Sequence, residues 1–119
     1  MAEQGLTVRE LAIYPVKDEP GRRLQRTEIE EAGLAGDRRK KRPVHVVAGD
    51  ETPETTRANI FLAAEPEALT ALVGSSVRIG TAVLYVSEKP TNCPGVYAVV
   101  AEPGAVAVGD RLHPAPSAD

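Results

Sequence analysis

Two runs of alternating apolar and polar residues, each interrupted by a turn sequence, occupy much of the second half of the chain. In SVRIGTAVLYVSE (76–88), Gly80-Thr81 separates two short apolar segments, which is a typical hairpin signal. In GVYAVVAEPGAVAVGDRL (95–112), Glu102-Pro103-Gly104 separates two valine-rich segments, because proline presets φ and glycine tolerates the left-handed backbone of a turn. The pattern predicts two successive β-hairpins.

The first half of the chain adds further short strands and one helix. The strand patterns lie at 6–17, 23–33 and 42–51. Residues 63–74 favour a helix instead, with Pro66 near its start and Gly74 at its end.

Short strands joined by short turns predict a closed architecture, because closure leaves few exposed strand edges. We therefore expect a mainly β fold, a small β-barrel with one or two short helices; a sandwich is the alternative. A single domain of about 120 residues can bury a modest core. We expect the barrel to span residues 1–113 and a flexible tail to follow at 114–119.

Composition argues against several classes of function. The formal net charge of −3 disfavours a general nucleic-acid binder. The charged N-terminus and the lack of a long apolar run predict a cytoplasmic protein with no membrane segment. His45 and His113 are far apart, and neither CxxC nor HxxxH occurs, so no structural zinc or other metal site is expected.

Cys93 is the single cysteine in the chain, so an internal disulfide is impossible. Three roles remain open for it: a small buried side chain, half of an intermolecular bridge, or a reactive thiol. Asn92-Cys93-Pro94-Gly95 is typical of a turn, which favours exposure of the thiol.

Six motifs in order resemble the MOSC domain, the C-terminal module of molybdenum cofactor sulfurases. They are LAIYPVK (11–17), GLAGDR (33–38), TTRANI (55–60), LVGSSVRIGTAVLYV (72–86), the cysteine that follows, and PGAVAVGDRL (103–112). The likeness covers nearly the whole chain and implies a β-barrel. It also implies sulfur chemistry, in which Cys93 would carry sulfur as a persulfide.

The resemblance also implies an anion site. Lys17 and Arg38 match family positions near an anionic ligand, although either could be a solvated charge at a strand end. Arg57 and Asn59 match polar positions of the family, and an Asn amide can face an oxyanion or a pterin edge or can instead cap a turn. The basic run RRKKR (38–42) is either a solvated face or a contact for a phosphate-rich ligand or an acidic partner protein.

Two functions follow as hypotheses. In the first, Cys93 accepts sulfur from a pyridoxal-phosphate-dependent cysteine desulfurase and passes it to a metal–sulfur cofactor, such as the molybdenum cofactor, or to a small anionic acceptor. Such a protein would be a sulfurtransferase or another carbon–sulfur bond enzyme. In the second, the barrel is a non-catalytic module that binds the molybdenum cofactor or a partner protein, and Cys93 is structural.

Overall fold

A computed structural model describes residues 6–38, 42–91 and 93–115. The protein is mainly β, as predicted. The strands in the described residues are β1 (Thr7–Ile13), β2 (Arg22–Leu24), β3 (Arg26–Glu30), β4 (Gly33–Leu34), β5 (Val44–Ala48), β6 (Ile60–Ala63), β7 (Ser76–Ile79), β8 (Ala82–Glu88), β9 (Val96–Glu102), β10 (Gly104–Ala107) and β11 (Leu112–Pro114). The short helix α1 (Pro66–Thr70) lies between β6 and β7.

Most strands belong to one curled sheet with the order β11-β7-β8-β9-β5-β6-β1-β2. β5 and β6 pair in parallel, whereas β8 pairs antiparallel with β7 and β9. Beyond these ladders, Val8 N–H donates to the carbonyl of Asp110, and Leu112 N–H donates to the carbonyl of Leu6. These bonds bring β1 against the segment that leads into β11, so the sheet adopts a barrel-like curl. A second sheet has the order β10-β3-β4.

The core lies inside the curl. Aliphatic side chains from most strands are fully buried there, among them Leu11, Ile60, Leu62, Ile79 and Leu84. A smaller cluster packs Phe61 against Tyr14 and Val47. Burying a Leu or Ile side chain contributes about 1.5–3 kcal/mol, so this core supplies the main stabilising term. Among the described residues, His45 and Asn59 are the buried polar side chains.

The hairpin across Gly80-Thr81 is confirmed. Ser76 to Ile79 pair antiparallel with Ala82 to Tyr85, and Gly80 has φ of 60°. A helix within the predicted range 63–74 is also confirmed, with Pro66 in its first turn, where a missing N–H costs nothing. It is shorter than predicted, because Ala63 belongs to β6 and the helix ends at Thr70.

The predicted hairpin across Pro103-Gly104 is wrong. β9 pairs with β8 along one edge and, at Val96 to Ala98, with β5 along the other. The chain instead passes at Pro103 into the second sheet, where β10 pairs antiparallel with β3. The predicted strand at 23–33 is likewise divided: β2 pairs with β1 and β3 with β10.

Pro114 lies in β11 opposite Val77, so the ordered strand extends one residue past the boundary predicted at 113. Residues 116–119 of the predicted tail lie outside the described residues. None of the described helical residues forms a segment long and apolar enough to cross a membrane.

Candidate functional site

Cys93 lies in the loop between β8 and β9 and is exposed. Lys89 Nζ donates to the carbonyl of Cys93 at 3.1 Å, which ties the start of the loop to its tip. The next residue along the chain is also held, since His45 Nε2 lies 2.7 Å from the carbonyl oxygen of Pro94. The exposed cysteine therefore lies on a loop that is held at two consecutive backbone carbonyls, those of Cys93 and Pro94.

Gly95 fixes the same loop against β5. Its φ is 77°, a left-handed conformation that L side chains rarely adopt. A Cβ at this position would clash with the carbonyl oxygen of Val46 and contact the Val47 side chain. Glycine therefore lets the loop approach the β5 backbone more closely than any other residue would allow.

Tyr97 connects the thiol to charged groups on neighbouring strands. The Arg42 guanidinium lies 5.3 Å from the centre of the Tyr97 ring, and its Nε donates to Glu88 Oε2 at 2.9 Å. The His45 ring lies 4.9 Å from the Tyr97 ring. Burial raises the pKa of the Tyr97 hydroxyl, and charge on Cys93 and a hydrogen bond to it raise that pKa further. The phenol and the thiol are therefore close enough to interact.

Asn59 occupies a different environment from the one predicted for an anion-binding amide. Its side chain is fully buried. Its Oδ1 accepts from the backbone N–H of His45 at 3.1 Å. Its Nδ2 donates to the carbonyl of Ala12 at 3.2 Å and to Asp37 Oδ2 at 2.9 Å. Both N–H groups of the amide therefore donate to protein groups, and Asn59 joins three segments of the chain.

Arg57 lies over Tyr14, with the guanidinium carbon 4.5 Å from the ring centre. Its Nη1 donates to the carbonyl of Glu19 at 2.8 Å, and its Nη2 lies 3.5 Å from the carbonyl of Val16. The guanidinium is exposed and holds the loop after β1 onto the body of the protein. Part of its hydrogen-bonding capacity is therefore used within the chain.

Lys17 and Arg38 are both exposed. Lys17 lies on the loop that Arg57 holds. Arg38 follows Asp37, whose Oδ1 accepts from the backbone N–H of Tyr14 at 2.8 Å. The segments that carry these cations thus meet around Tyr14 and Asn59, although the described contacts do not bring the cationic groups together in one cleft.

His45 contacts both Asn59 and the loop that carries Cys93. Its backbone N–H binds Asn59, and its ring binds the loop of Cys93. Sequence reasoning considered His45 only as a metal ligand and did not single out Tyr97. The His45–Pro94 contact joins residues 49 positions apart, and no local pattern signals such a contact.

Elsewhere, an open groove of about 410 Å³ is lined by Arg26, Thr81 and Asp110. It lies at the turn between β7 and β8, away from the cysteine loop. The described side chains include no group of three His, Cys, Asp or Glu residues that could hold a metal ion.

Comparison with known proteins supports the fold. No family model matches the chain, and no curated protein matches its sequence. The crystal structure of the YUAD protein from Bacillus subtilis is similar, with a TM-score of 0.73 and 18% identity over 92% of this chain and 94% of that one. A hypothetical protein of known crystal structure gives a TM-score of 0.71 and 17% identity over 98% of this chain and 71% of that one. At these identities the similarity shows the shared fold and nothing about activity.

Proposed function

We propose that this chain is a small MOSC-like sulfur carrier in which Cys93 accepts sulfur as a persulfide. The sulfur donor is a pyridoxal-phosphate-dependent cysteine desulfurase, and the acceptor is a metal–sulfur cofactor such as the molybdenum cofactor, or a small anion. The observation that carries the proposal is that Cys93 is exposed on a loop whose backbone is held at the Cys93 and Pro94 carbonyls. An exposed thiol also disfavours the alternative in which Cys93 only fills the core.

The chemistry of the first step requires only a thiolate and a donor persulfide. The Cys93 thiolate attacks the terminal sulfur of the desulfurase persulfide, so a new S–S bond forms on Cys93. The S–S bond of the desulfurase breaks, and its cysteine leaves as a thiolate. The proton on the transferred sulfur stays with it, so charge is conserved. A nucleophilic acceptor such as a thiolate then attacks the terminal sulfur, and Cys93 leaves again as a thiolate. Delivery to a metal centre as sulfide takes two further electrons, which two thiols would supply as they are oxidised to a disulfide.

Polar groups beside the cysteine favour this chemistry. The Lys89 ammonium lies beside the Cys93 carbonyl, whereas Arg42 is paired with Glu88. The Tyr97 hydroxyl can donate to negatively charged sulfur. In the proposal, the exposed cations Lys17, Arg38 and Arg57 attract the anionic acceptor. A reducing cytoplasm is the expected compartment, because free thiols persist there instead of forming disulfides.

The decisive experiment measures sulfur uptake by mass spectrometry. The protein is incubated with a cysteine desulfurase and cysteine, and we expect the mass of one added sulfur atom, removable by a thiol reductant. Cys93→Ser should abolish the addition, whereas Thr91→Ala, a change in the same exposed loop, should retain it. Wild-type protein that gains no sulfur, or a Cys93→Ser protein that still gains it, would contradict the proposed function.

A further inference from the structure

His45 is the residue in the described structure that best accounts for the fixed position of the thiol loop. It lies in β5 opposite Tyr97 of β9, and only 7% of its surface is exposed. A buried imidazole requires hydrogen-bonding partners, because an unsatisfied polar group in the interior is costly. One of these partners is the carbonyl oxygen of Pro94, the residue that follows the cysteine.

The geometry of this contact determines which ring nitrogen of His45 carries a proton. The carbonyl oxygen of Pro94 can only accept a hydrogen bond, so His45 Nε2 must carry the proton at 2.7 Å. The ring also contacts Tyr97, with the ring centres 4.9 Å apart and the planes tilted by 52°. The backbone N–H of His45 donates to Asn59 Oδ1, which fixes the strand that carries the ring. The burial of His45 and these contacts restrict the position of the N–H donor that meets the loop.

We propose that His45 is the positioning residue of the sulfur site, holding the Pro94 carbonyl so that Cys93 faces a docked sulfur donor. This inference rests on the proposed function. Transfer between two proteins requires the attacking sulfur to be aligned with the S–S bond of the partner, and small misplacements there cost large factors in rate. A small alkylating reagent approaches an exposed thiol from many directions and does not require this alignment.

Two substitutions of His45 separate the effect of its N–H donor from the effect of its aromatic ring. His45→Phe keeps an aromatic ring against Tyr97 but removes the N–H, whereas His45→Gln keeps an N–H donor and removes the ring. We expect His45→Phe to slow sulfur uptake from the desulfurase about tenfold or more at saturating donor concentration. Alkylation of Cys93 by a small reagent should change by less than about twofold in the same variant, since the thiol stays exposed. His45→Gln should recover most of the uptake rate.

A second measurement uses the wild-type protein, so it does not depend on a variant that folds. Nitrogen NMR of the His45 imidazole should show the proton on Nε2. A proton on Nδ1 alone would overturn the inference, because two acceptors would then face each other.

The outcomes distinguish this inference from the proposed function. Wild-type protein that takes up no sulfur would remove the function itself. Normal uptake by wild-type and His45→Phe proteins alike would remove only the role of His45. Equal slowing in His45→Phe and His45→Gln would also overturn the inference, because the donated hydrogen bond would then not be the cause.

Discussion

The environment of Asn59 and the loop of Cys93 are adjacent but organised in opposite ways. Asn59 is fully buried, and its amide is bonded to protein groups on β1, β5 and the Asp37 segment. Cys93 is exposed, and its loop is bonded through the backbone carbonyls of Cys93 and Pro94. Polar residues near a site can therefore act on it indirectly, by building the frame that presents a reactive side chain.

This comparison leads first to a prediction about Asn59, where the largest effect is expected. Asn59→Ala should lower the free energy of unfolding by about 3–5 kcal/mol, because it removes three buried or partly buried hydrogen bonds, one of them to a carboxylate. Urea unfolding at neutral pH measures the change, with exposed Lys17→Ala as the control. A loss below about 1 kcal/mol would show that the buried network is not the frame we describe.

The second prediction concerns the contact between the loop and β5. Gly95→Ala should cost about 2–4 kcal/mol, since it combines a strained positive φ with a clash against the Val46 carbonyl. Gly74 offers a matched control: its φ is 91°, and nothing lies within 4 Å of a Cβ placed there. Gly74→Ala should therefore cost only about 1–2 kcal/mol of backbone strain. Equal losses in the two variants would indicate that the loop does not rest closely on β5.

The third prediction concerns the pH dependence of stability that results from the burial of Tyr14. Burial raises the pKa of Tyr14 from 10.0 to about 12 in the folded protein. The unfolded chain therefore releases this proton first, so stability is retained below pH 10 and lost as pH rises towards 12. The expected loss is about 2–3 kcal/mol.

Unfolding measured across this pH range in wild-type and Tyr14→Phe proteins tests the prediction. Tyr14→Phe should be less stable at neutral pH by about 1–3 kcal/mol, because the hydroxyl no longer donates to the Ala58 carbonyl. It should lose less stability than wild type in the alkaline range. Parallel alkaline profiles of the two proteins would contradict the assignment to Tyr14, and Tyr85→Phe, at an exposed position, serves as the control.

Local features of the fold were predictable from the sequence. The hairpin at Gly80-Thr81 and the helix at Pro66 depend on turn and capping chemistry within a few residues. The partner of β10 was not predictable in this way. The sequence around Pro103 describes a turn correctly, but the partner of the following strand depends on which strand edges are already occupied elsewhere in the sheet.

The candidate site also combines features that depend on local sequence with features that depend on distant contacts. The exposure of Cys93 follows from the local Asn-Cys-Pro-Gly turn, and the structure agrees with it. The burial of Asn59 does not follow from its neighbours, because its bonds reach Asp37, 22 residues away, and Ala12, 47 residues away. His45 was missed for the same reason. A side chain that acts through contacts distant in sequence has no local signature.

The smallest expected effect tests whether the thiol and the phenol are neighbours in solution. Burial is the first cause that raises the pKa of Tyr97, and charge on Cys93 is the second. Cys93→Ser removes the second cause and keeps the first, so the Tyr97 hydroxyl should ionise at a lower pH than in wild type while remaining shifted by burial. Ultraviolet titration of the phenolate measures this, with Tyr97→Phe identifying the signal and Thr91→Ala as the matched loop control.

The free energy of unfolding of Cys93→Ser at neutral pH should differ from that of wild type by less than about 0.5 kcal/mol, since the cysteine is exposed. An unchanged midpoint of the Tyr97 titration would show that the thiol and the phenol do not interact. A large loss of stability would show that Cys93, like Asn59, contributes to the packing of the fold.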